Sequence, residues 1–121
     1  MKLGRKLTGG KYHRGARKKK LHERSGQLRV VKLGEKKTKI IPGRGSTKKL
    51  VSLSQNTINL VIKGKAKQAK IKTVTETPSN RFLARQNILV KGAIVDTDLG
   101  KARISNRPSQ EGNIQGILVE N

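Results

Sequence analysis

The apolar residues of this chain occur in short groups divided by turn-forming residues, and this grouping starts only at Leu28. Up to Ser25 the leucines are isolated, and four glycines interrupt any helical pattern. Several of the later groups alternate apolar with polar positions, and they recur about every 8–12 residues. This pattern predicts an all-β fold, a small antiparallel β-barrel or sandwich. The predicted strands are residues 28–33, 39–41, 48–53, 57–62, 69–74, 87–91, 93–95, 102–105 and 113–119.

The residues available for a hydrophobic core are almost all branched aliphatic ones. Ile, Leu and Val number 30, and 27 of them lie in residues 28–121, whereas the whole chain has one Tyr, one Phe and no Trp. Branched aliphatic side chains pack well on a pleated sheet. The composition therefore supports strands, and closure of the sheet into a barrel would protect their edges.

One stretch, residues 78–86, has the features of a helix. Asn80 is a suitable N-cap, and the Ala and Arg residues that follow it favour helix propagation. Because the stretch is short, an irregular loop is the alternative. In both cases we expect it to carry Phe82 and Leu83 into the core.

Net charge divides the chain into two parts. The chain has 29 Lys and Arg against 7 Asp and Glu, a net charge of +22. Residues 1–49 contain 18 basic and 2 acidic residues, a net charge of +16. Residues 50–121 contain 11 basic and 5 acidic residues, a net charge of +6. This asymmetry predicts an extended basic arm at residues 1–26 joined to a β-barrel-like body at residues 27–121. Such a high charge makes a polyanion the expected partner. We expect no homo-oligomer.

The composition argues against several kinds of site. The chain has no Cys, which excludes disulfides and thiol nucleophiles, and its two histidines, His13 and His22, both lie in the arm. We therefore expect no metal site and no cofactor. The longest apolar runs have three residues, far fewer than the ~20 of a membrane-spanning helix. The sequence predicts a cytoplasmic protein without a membrane segment or a signal peptide.

Asp96 and Asp98 are the one close pair of carboxylates. Residues two apart share a face of a strand, so an acid–base dyad is geometrically possible. The alternative is that both flank the turn at residues 99–100, where Asp is favoured. We favour the turn, and because the histidines lie in the arm no catalytic triad is credible. The chain is predicted not to be an enzyme.

Residues 43–49 form a glycine-rich basic loop between two predicted strands. The loop lacks the four-residue gap and the Gly-Lys-Ser/Thr ending of a nucleotide-binding phosphate loop. Its backbone N–H groups and lysines can nevertheless contact the phosphates of a nucleic acid.

The arm combines guanidinium groups, lysine charges and glycines that let the backbone approach a sugar-phosphate ridge. Neutralising phosphates releases counterions, which drives binding without a sequence requirement, and Tyr12 and His13 could stack on an unpaired base. A solvated tail, or a nuclear-import signal at residues 17–20, are alternatives that do not account for the charges of the body. We predict RNA contacts by Arg5, Lys6, Thr8, Gly9, Gly10, Lys11, Tyr12, His13, Arg14, Arg17, Lys18, Lys19, Lys20 and Arg24 in the arm, and by Arg44, Lys48, Lys49, Arg81, Arg85 and Lys91 in the body.

Several segments together resemble one known family. They are residues 4–13 (GRKLTGGKYH), 17–24 (RKKKLHER), 44–49 (RGSTKK), 77–81 (TPSNR), 87–95 (NILVKGAIV) and 100–120. These motifs are similar to those of small-subunit ribosomal protein eight of the archaeal and eukaryotic type, over nearly the whole chain. Without a long insertion in its body, the chain is more similar to the archaeal members. The resemblance implies a structural constituent of the small ribosomal subunit, with ribosomal RNA and neighbouring small-subunit ribosomal proteins as partners.

The chain departs from this family pattern at two places. Members often begin with a Trp-containing segment, whereas this chain has no Trp. Ser46 stands where the loop usually has Gly, which argues against a left-handed turn at this position.

A general nucleic-acid-coating or compacting protein is the alternative function, since charge alone would bind any duplex. With RNA as the partner, we expect residues 1–26 to be ordered only in its presence.

Overall fold

The computed structural model describes residues 4–12, 18, 20–23, 26, 28–62 and 64–119. In these residues the chain forms eight strands, one short α-helix and one 3-10 turn. The 3-10 turn spans Leu21–Glu23, and helix α1 spans Arg81–Arg85. The strands are β1 (Lys32–Leu33), β2 (Lys37–Pro42), β3 (Lys48–Gln55), β4 (Thr57–Ile62), β5 (Lys65–Glu76), β6 (Ile94–Thr97), β7 (Gly100–Ile104) and β8 (Gln115–Leu118).

Five of the strands close into a barrel in the order β4-β5-β6-β7-β8. Strands that follow one another along the chain pair antiparallel, and the barrel closes through a parallel pairing of β8 with β4. The other three strands form a small sheet in the order β1-β3-β2, with β1 parallel to β3. The prediction of an all-β fold with a small barrel is confirmed. The two parallel pairs were not predicted, because alternation along a strand carries no information about the direction of its partner.

The barrel interior holds the aliphatic residues that the sequence provides for a core. Strand β4 shows the pattern: Ile58 and Leu60 are fully buried, whereas Asn59 and Val61 between and after them are exposed. This alternation is what a strand with one face on a core requires. The core cluster consists of Val31, Ile58, Leu60, Ala69, Ile71, Val74, Leu89, Ala93, Val95, Ala102, Ile104 and Ile114.

The small sheet is tied to the barrel by backbone hydrogen bonds. In β3, the N–H of Ser52 donates to the carbonyls of Pro108 and Glu111, each at 3.1 Å. Just ahead of β1, the carbonyl of Val31 accepts a hydrogen bond from the N–H of Leu89, which lies between α1 and β6, at 2.8 Å. The hairpin of β2 and β3 therefore has a defined position relative to the barrel, and so does the loop between these strands.

The predicted helix is present as α1 and is shorter than predicted. Asn80 is its N-cap: its backbone is extended (φ −162°) and its side-chain oxygen accepts a hydrogen bond from the N–H of Phe82 at 3.0 Å. Leu83 and Ala84 are half-buried, and Ala84 packs against the core, whereas Phe82 is 69% exposed. The prediction that Phe82 enters the core is therefore wrong. At about 100° per residue, a helix that packs through positions 83 and 84 turns position 82 outwards.

Residues 87–91, which we predicted to be a strand, contain only an isolated bridge between Ile88 and β1. Asn87 follows α1 in the left-handed conformation (φ 51°). The N–H groups of Asn87 and Ile88 bond back to the carbonyls of Ala84 and Leu83 at 3.0 and 3.1 Å. This is the Schellman arrangement that ends a helix, so the first part of the apolar run stops α1 instead of forming a strand.

All described residues before position 27 are exposed. They contribute nothing to the core cluster. The division of the chain into an arm at residues 1–26 and a body at residues 27–121 stays a prediction.

Candidate nucleic-acid interface

The described part of the arm contains a tight backbone turn. Arg5 and Lys11 form an antiparallel bridge. Between them, the N–H of Gly9 donates to the carbonyl of Lys6 at 2.9 Å, and the N–H of Lys6 donates to the carbonyl of Gly10 at 2.8 Å. Gly9 has a φ of 80°, a left-handed conformation that a residue without Cβ adopts readily. The turn holds three exposed cations, Arg5, Lys6 and Lys11, on one short loop of chain.

Tyr12 follows this turn and lies beside one of its cations. The Nζ of Lys6 is 5.7 Å from the centroid of the Tyr12 ring, within the range of a cation–π interaction. The Tyr12 side chain is still 53% exposed. The ring therefore keeps surface for a further contact, and its predicted role in stacking on an RNA base stays a prediction.

The other predicted arm residues are only partly described. Thr8, Lys18 and Lys20 are exposed, and the backbone N–H of Lys20 donates to Oε2 of Glu23 at 3.0 Å at the 3-10 turn. Glu23 also lies 3.9 Å from Nε2 of His22. The remaining five predicted residues lie outside the described residues, namely His13, Arg14, Arg17, Lys19 and Arg24.

The loop between β2 and β3 is a compact turn with its own hydrogen bonds. The N–H of Gly43 donates to the carbonyl of Thr47, and the Thr47 hydroxyl donates to the carbonyl of Arg44, both at 2.8 Å. The left-handed residue is Gly45 (φ 69°), while Ser46 has a negative φ. The expectation that Ser46 is not left-handed is confirmed, and the neighbouring glycine takes that conformation instead.

This loop borders a groove in which three cations meet. Arg44 and Lys49 were predicted as contact residues, and Arg29 is the third. Nη1 of Arg29 donates to the carbonyl of Ser109 at 3.4 Å, which holds this side chain toward the loop after β7. Lys48 is exposed but does not line the groove, because consecutive residues of a strand point to opposite faces. The complete lining is Arg29, Ile41, Pro42, Gly43, Arg44, Thr47, Lys49 and Gln110.

Helix α1 presents a second cationic surface. Arg81 and Arg85 are both exposed, and because they are four residues apart they are neighbours on one face of the helix. Phe82 lies on the same side and is exposed. The sequence predicts Arg81 and Arg85 as RNA-contact residues, but it does not predict Phe82 on this surface, because Phe82 was expected in the core.

Lys91 lies at a turn that also brings in an arginine from the barrel. Gly92 has a φ of 83°, and its N–H donates to the carbonyl of Ile104 at 2.8 Å. A hollow beside this turn is lined by Lys91 and Arg103. Arg103 and Arg29 are the two cations that sequence reasoning missed at these places. Their charge was the only available signal, and most of the 29 basic residues share it.

Asp96 and Asp98 lie in different structural elements. Asp96 is part of β6, whereas Asp98 lies in the turn to β7, as the favoured alternative predicted. Oδ1 of Asp98 is 3.5 Å from Nζ of Lys72 on β5, so this carboxylate has a cation as its neighbour.

Two negative findings apply to the described residues only. Among them, no group of three or more His, Cys, Asp or Glu is arranged to hold a metal ion. None of the helices found there has the length and apolar character needed to cross a membrane.

Comparison with known proteins identifies the family. A model of the family described as ribosomal protein S8e matches residues 1–119. The small ribosomal subunit protein eS8 of Haloarcula marismortui is 38% identical over 116 residues, which are 96% of this chain and 94% of that protein. The eS8 protein of Nanoarchaeum equitans is 39% identical over 117 residues, which are 95% of this chain and 92% of that protein. The eS8 protein of Methanocella arvoryzae is 38% identical over 120 residues, which are 98% of this chain and 95% of that protein. These matches confirm the resemblance found in the sequence, and the chain belongs to the ribosomal protein S8e family.

Proposed function

We propose that this protein is a structural constituent of the small ribosomal subunit that binds and stabilises ribosomal RNA. The observation that carries the proposal is full-length membership in the ribosomal protein S8e family, joined to a net charge of +22 that extends over arm and body. Membership in this family also confirms the prediction that the chain is not an enzyme.

The physical basis of the function is neutralisation of a folded RNA backbone. Where RNA helices are packed together, their phosphates repel one another, and each phosphate paired with Lys or Arg releases condensed counterions. The arm supplies a dense group of such cations. The body supplies cations in more defined positions: Arg29, Arg44 and Lys49 line the groove beside the hydrogen-bonded β2–β3 loop, and Arg81 and Arg85 lie on the capped helix α1. The arm thus provides affinity, while the body defines where and in which direction the arm enters the RNA.

The individual contact residues and the neighbouring molecules are part of the same proposal. The predicted residues of the arm and body bind phosphates and bases of small-subunit RNA, with Arg29 and Arg103 added to them. Other small-subunit ribosomal proteins lie next to the chain in the particle, which is located in the cytoplasm. The chain enters as a single copy, because two copies of a +22 chain repel each other unless RNA lies between them.

The proposal is tested by binding of the purified chain to small-subunit ribosomal RNA at increasing salt. If ~6–10 phosphates are engaged, the affinity falls by ~10³–10⁵ between about 50 and 200 mM salt. In cells, the chain is expected to remain on small subunits that have been washed at moderate salt. Its absence from washed subunits would refute the proposal.

The alternative is a protein that coats any nucleic acid. The high charge alone favours it, whereas a closed barrel with ordered loops is not needed for coating. Competition decides between the two: random duplex DNA should displace the chain from ribosomal RNA only at a large excess. Equal competition by DNA and RNA would favour the coating function.

A further inference from the structure

The protein keeps its two aromatic side chains out of its core. One Tyr and one Phe are the only aromatic residues of the chain, and Tyr12 is 53% and Phe82 69% exposed. Aromatic side chains are the largest apolar groups a chain can bury, and this barrel has a core of aliphatic residues alone. A single exposed apolar residue is not unusual in itself. The surroundings of Phe82 are what make its exposure informative.

Phe82 shares one side of helix α1 with two arginines. At about 100° per residue, positions 81, 85 and 82 follow one another within about 100° around the helix axis. Positions 83 and 84 occupy the opposite side, where Leu83 and Ala84 are half-buried. The outward side of this short helix is therefore an aromatic ring next to Arg81 and Arg85, all three exposed.

Both ends of α1 are fixed to the body, so this side has a defined direction. At the first turn, the Asn80 side chain accepts from the N–H of Phe82 at 3.0 Å, and the Thr77 hydroxyl donates to the carbonyl of Asn80 at 2.5 Å. At the last turn, Asn87 ends the helix and its Oδ1 accepts from the N–H of Val74 on β5 at 3.2 Å. A surface held in place before binding loses little conformational entropy when a ligand docks.

We propose that Phe82 is a stacking platform for an unpaired base of small-subunit ribosomal RNA, and that Arg81 and Arg85 bind the phosphates on either side of that base. This inference rests on the proposed function and adds a specific site to it. Unpaired bases are recognised by stacking on aromatic rings, and every base has a face that can stack. Two guanidinium groups beside the ring provide forked donors that match phosphate oxygens.

A neighbouring ribosomal protein is the other conceivable occupant of an exposed Phe. RNA is favoured because the apolar part of the site is a single ring with two arginines beside it. A protein partner would be expected to cover a larger apolar surface, whereas the next two apolar residues of α1 are half-buried and Ala84 packs against the core. The experiments below separate the two occupants.

The first experiment compares replacements of Phe82 in the full-length chain bound to in vitro transcribed small-subunit ribosomal RNA. F82A should weaken binding by about 5- to 150-fold, the range found when one stacked base loses its aromatic partner. F82L keeps a large apolar side chain without a ring, and F82Y keeps the ring. Stacking predicts that F82L binds nearly as weakly as F82A and that F82Y binds like the original chain. Binding of F82L like the original chain would overturn the proposal.

Salt dependence provides an internal check on the same variants. Replacements of Phe82 remove no charge, so the slope of log affinity against log salt should stay unchanged. R81Q and R85Q should each reduce this slope by about 0.7–0.9, the change expected for one lost phosphate contact. If the slope stays unchanged in both R81Q and R85Q, Arg81 and Arg85 do not bind phosphates at this site.

The second experiment uses the absence of Trp from the chain. F82W introduces a single Trp, whose fluorescence should be strongly quenched on binding to ribosomal RNA, because stacking on a base quenches indole emission. L99W is the control, since Leu99 is also exposed, at 44%, and lies in the turn between β6 and β7. Unchanged emission of F82W on the RNA, or equal quenching of both variants, would contradict stacking.

The results also distinguish this inference from the function on which it depends. If the original chain fails to prefer ribosomal RNA over duplex DNA, the proposed function fails. If the original chain binds ribosomal RNA and all Phe82 variants bind equally, only the stacking site fails. Equal RNA binding combined with poor incorporation of F82A into subunits containing all ribosomal proteins would assign Phe82 to a protein neighbour and overturn the inference.

Discussion

The side chain of Asn87 joins the end of helix α1 to the barrel: its Oδ1 accepts a hydrogen bond from the backbone N–H of Val74 on β5 at 3.2 Å. The carbonyl of the same residue accepts from the N–H of Leu33 on β1 at 3.0 Å. One left-handed residue (φ 51°) therefore contacts the helix, the barrel and the small sheet. The direction in which α1 presents Phe82 depends on these contacts.

Replacing Asn87 is predicted to destabilise the RNA-free protein in a graded way. N87A should lower the free energy of unfolding by about 2–4 kcal/mol, because the N–H of Val74 loses its acceptor and a residue with Cβ is forced to be left-handed. N87G tolerates the backbone conformation and should lower it by about 1–3 kcal/mol. Urea unfolding followed by circular dichroism measures both values.

N87D is the matched control for this series. Asp retains an acceptor at the same place and tolerates the left-handed conformation, so its unfolding midpoint should stay close to that of the original chain. A loss of stability in N87D as large as that in N87A would show that the hydrogen bond to Val74 is not the cause.

Gly116 is predicted to be intolerant of any side chain. On β8 it lies where the barrel closes, and a Cβ at this position would be 2.8 Å from Cδ1 of Ile58 and 2.9 Å from the carbonyl oxygen of Arg103. The second contact is with backbone and cannot be relieved by a rotamer change. G116A should lower the free energy of unfolding by about 1–3 kcal/mol through overpacking. G34A is the control, since its Cβ would meet nothing closer than Ser54 Cβ at 4.0 Å; equal effects would contradict the prediction.

Local features of the structure were predicted well from the sequence. The strand at residues 57–62 is predicted correctly because Ile58, Leu60 and Ile62 stand at every second position, which is the period of a strand. Asn80 was recognised as an N-cap because capping depends only on the residues that follow it. The regular spacing of short apolar groups, together with the aliphatic composition, indicated a small barrel or sandwich, and the structure contains a closed barrel.

Features that depend on distant parts of the chain were not predictable in this way. The parallel pairing of β8 with β4 joins segments more than fifty residues apart, and nothing in either segment specifies its partner. Phe82 is expected in the core because it is apolar, whereas its direction is decided by the way α1 packs, with Ala84 against the core and Leu83 half-buried. The same holds for the candidate site. Charge indicated the kind of partner, but only the fold brings Arg29 into the same groove as Arg44.

Arg29 is predicted to contribute to RNA binding as much as Arg44, although only Arg44 stood in a recognisable motif. Both line the groove beside the β2–β3 loop. R29Q and R44Q should each reduce the slope of log affinity against log salt by about 0.7–0.9. K72Q is the comparison, because Lys72 lies 3.5 Å from Asp98 and part of its charge is already compensated; its effect on the slope should be smaller. A normal slope for R29Q would exclude this arginine from the interface.

The arm turn gives the last prediction, through two adjacent glycines with different conformations. Gly9 is left-handed (φ 80°), whereas Gly10 does not have a positive φ, and a Cβ on Gly10 would meet nothing closer than the Thr8 hydroxyl oxygen at 3.8 Å. If RNA binds the turn in this conformation, G9A must pay about 1–2 kcal/mol of strain, which lowers RNA affinity by about 5- to 30-fold, while G10A binds normally. The urea midpoint of both variants should equal that of the original chain, because the turn contributes nothing to the core cluster. Equal RNA affinities of G9A and G10A would mean that the arm binds in another conformation.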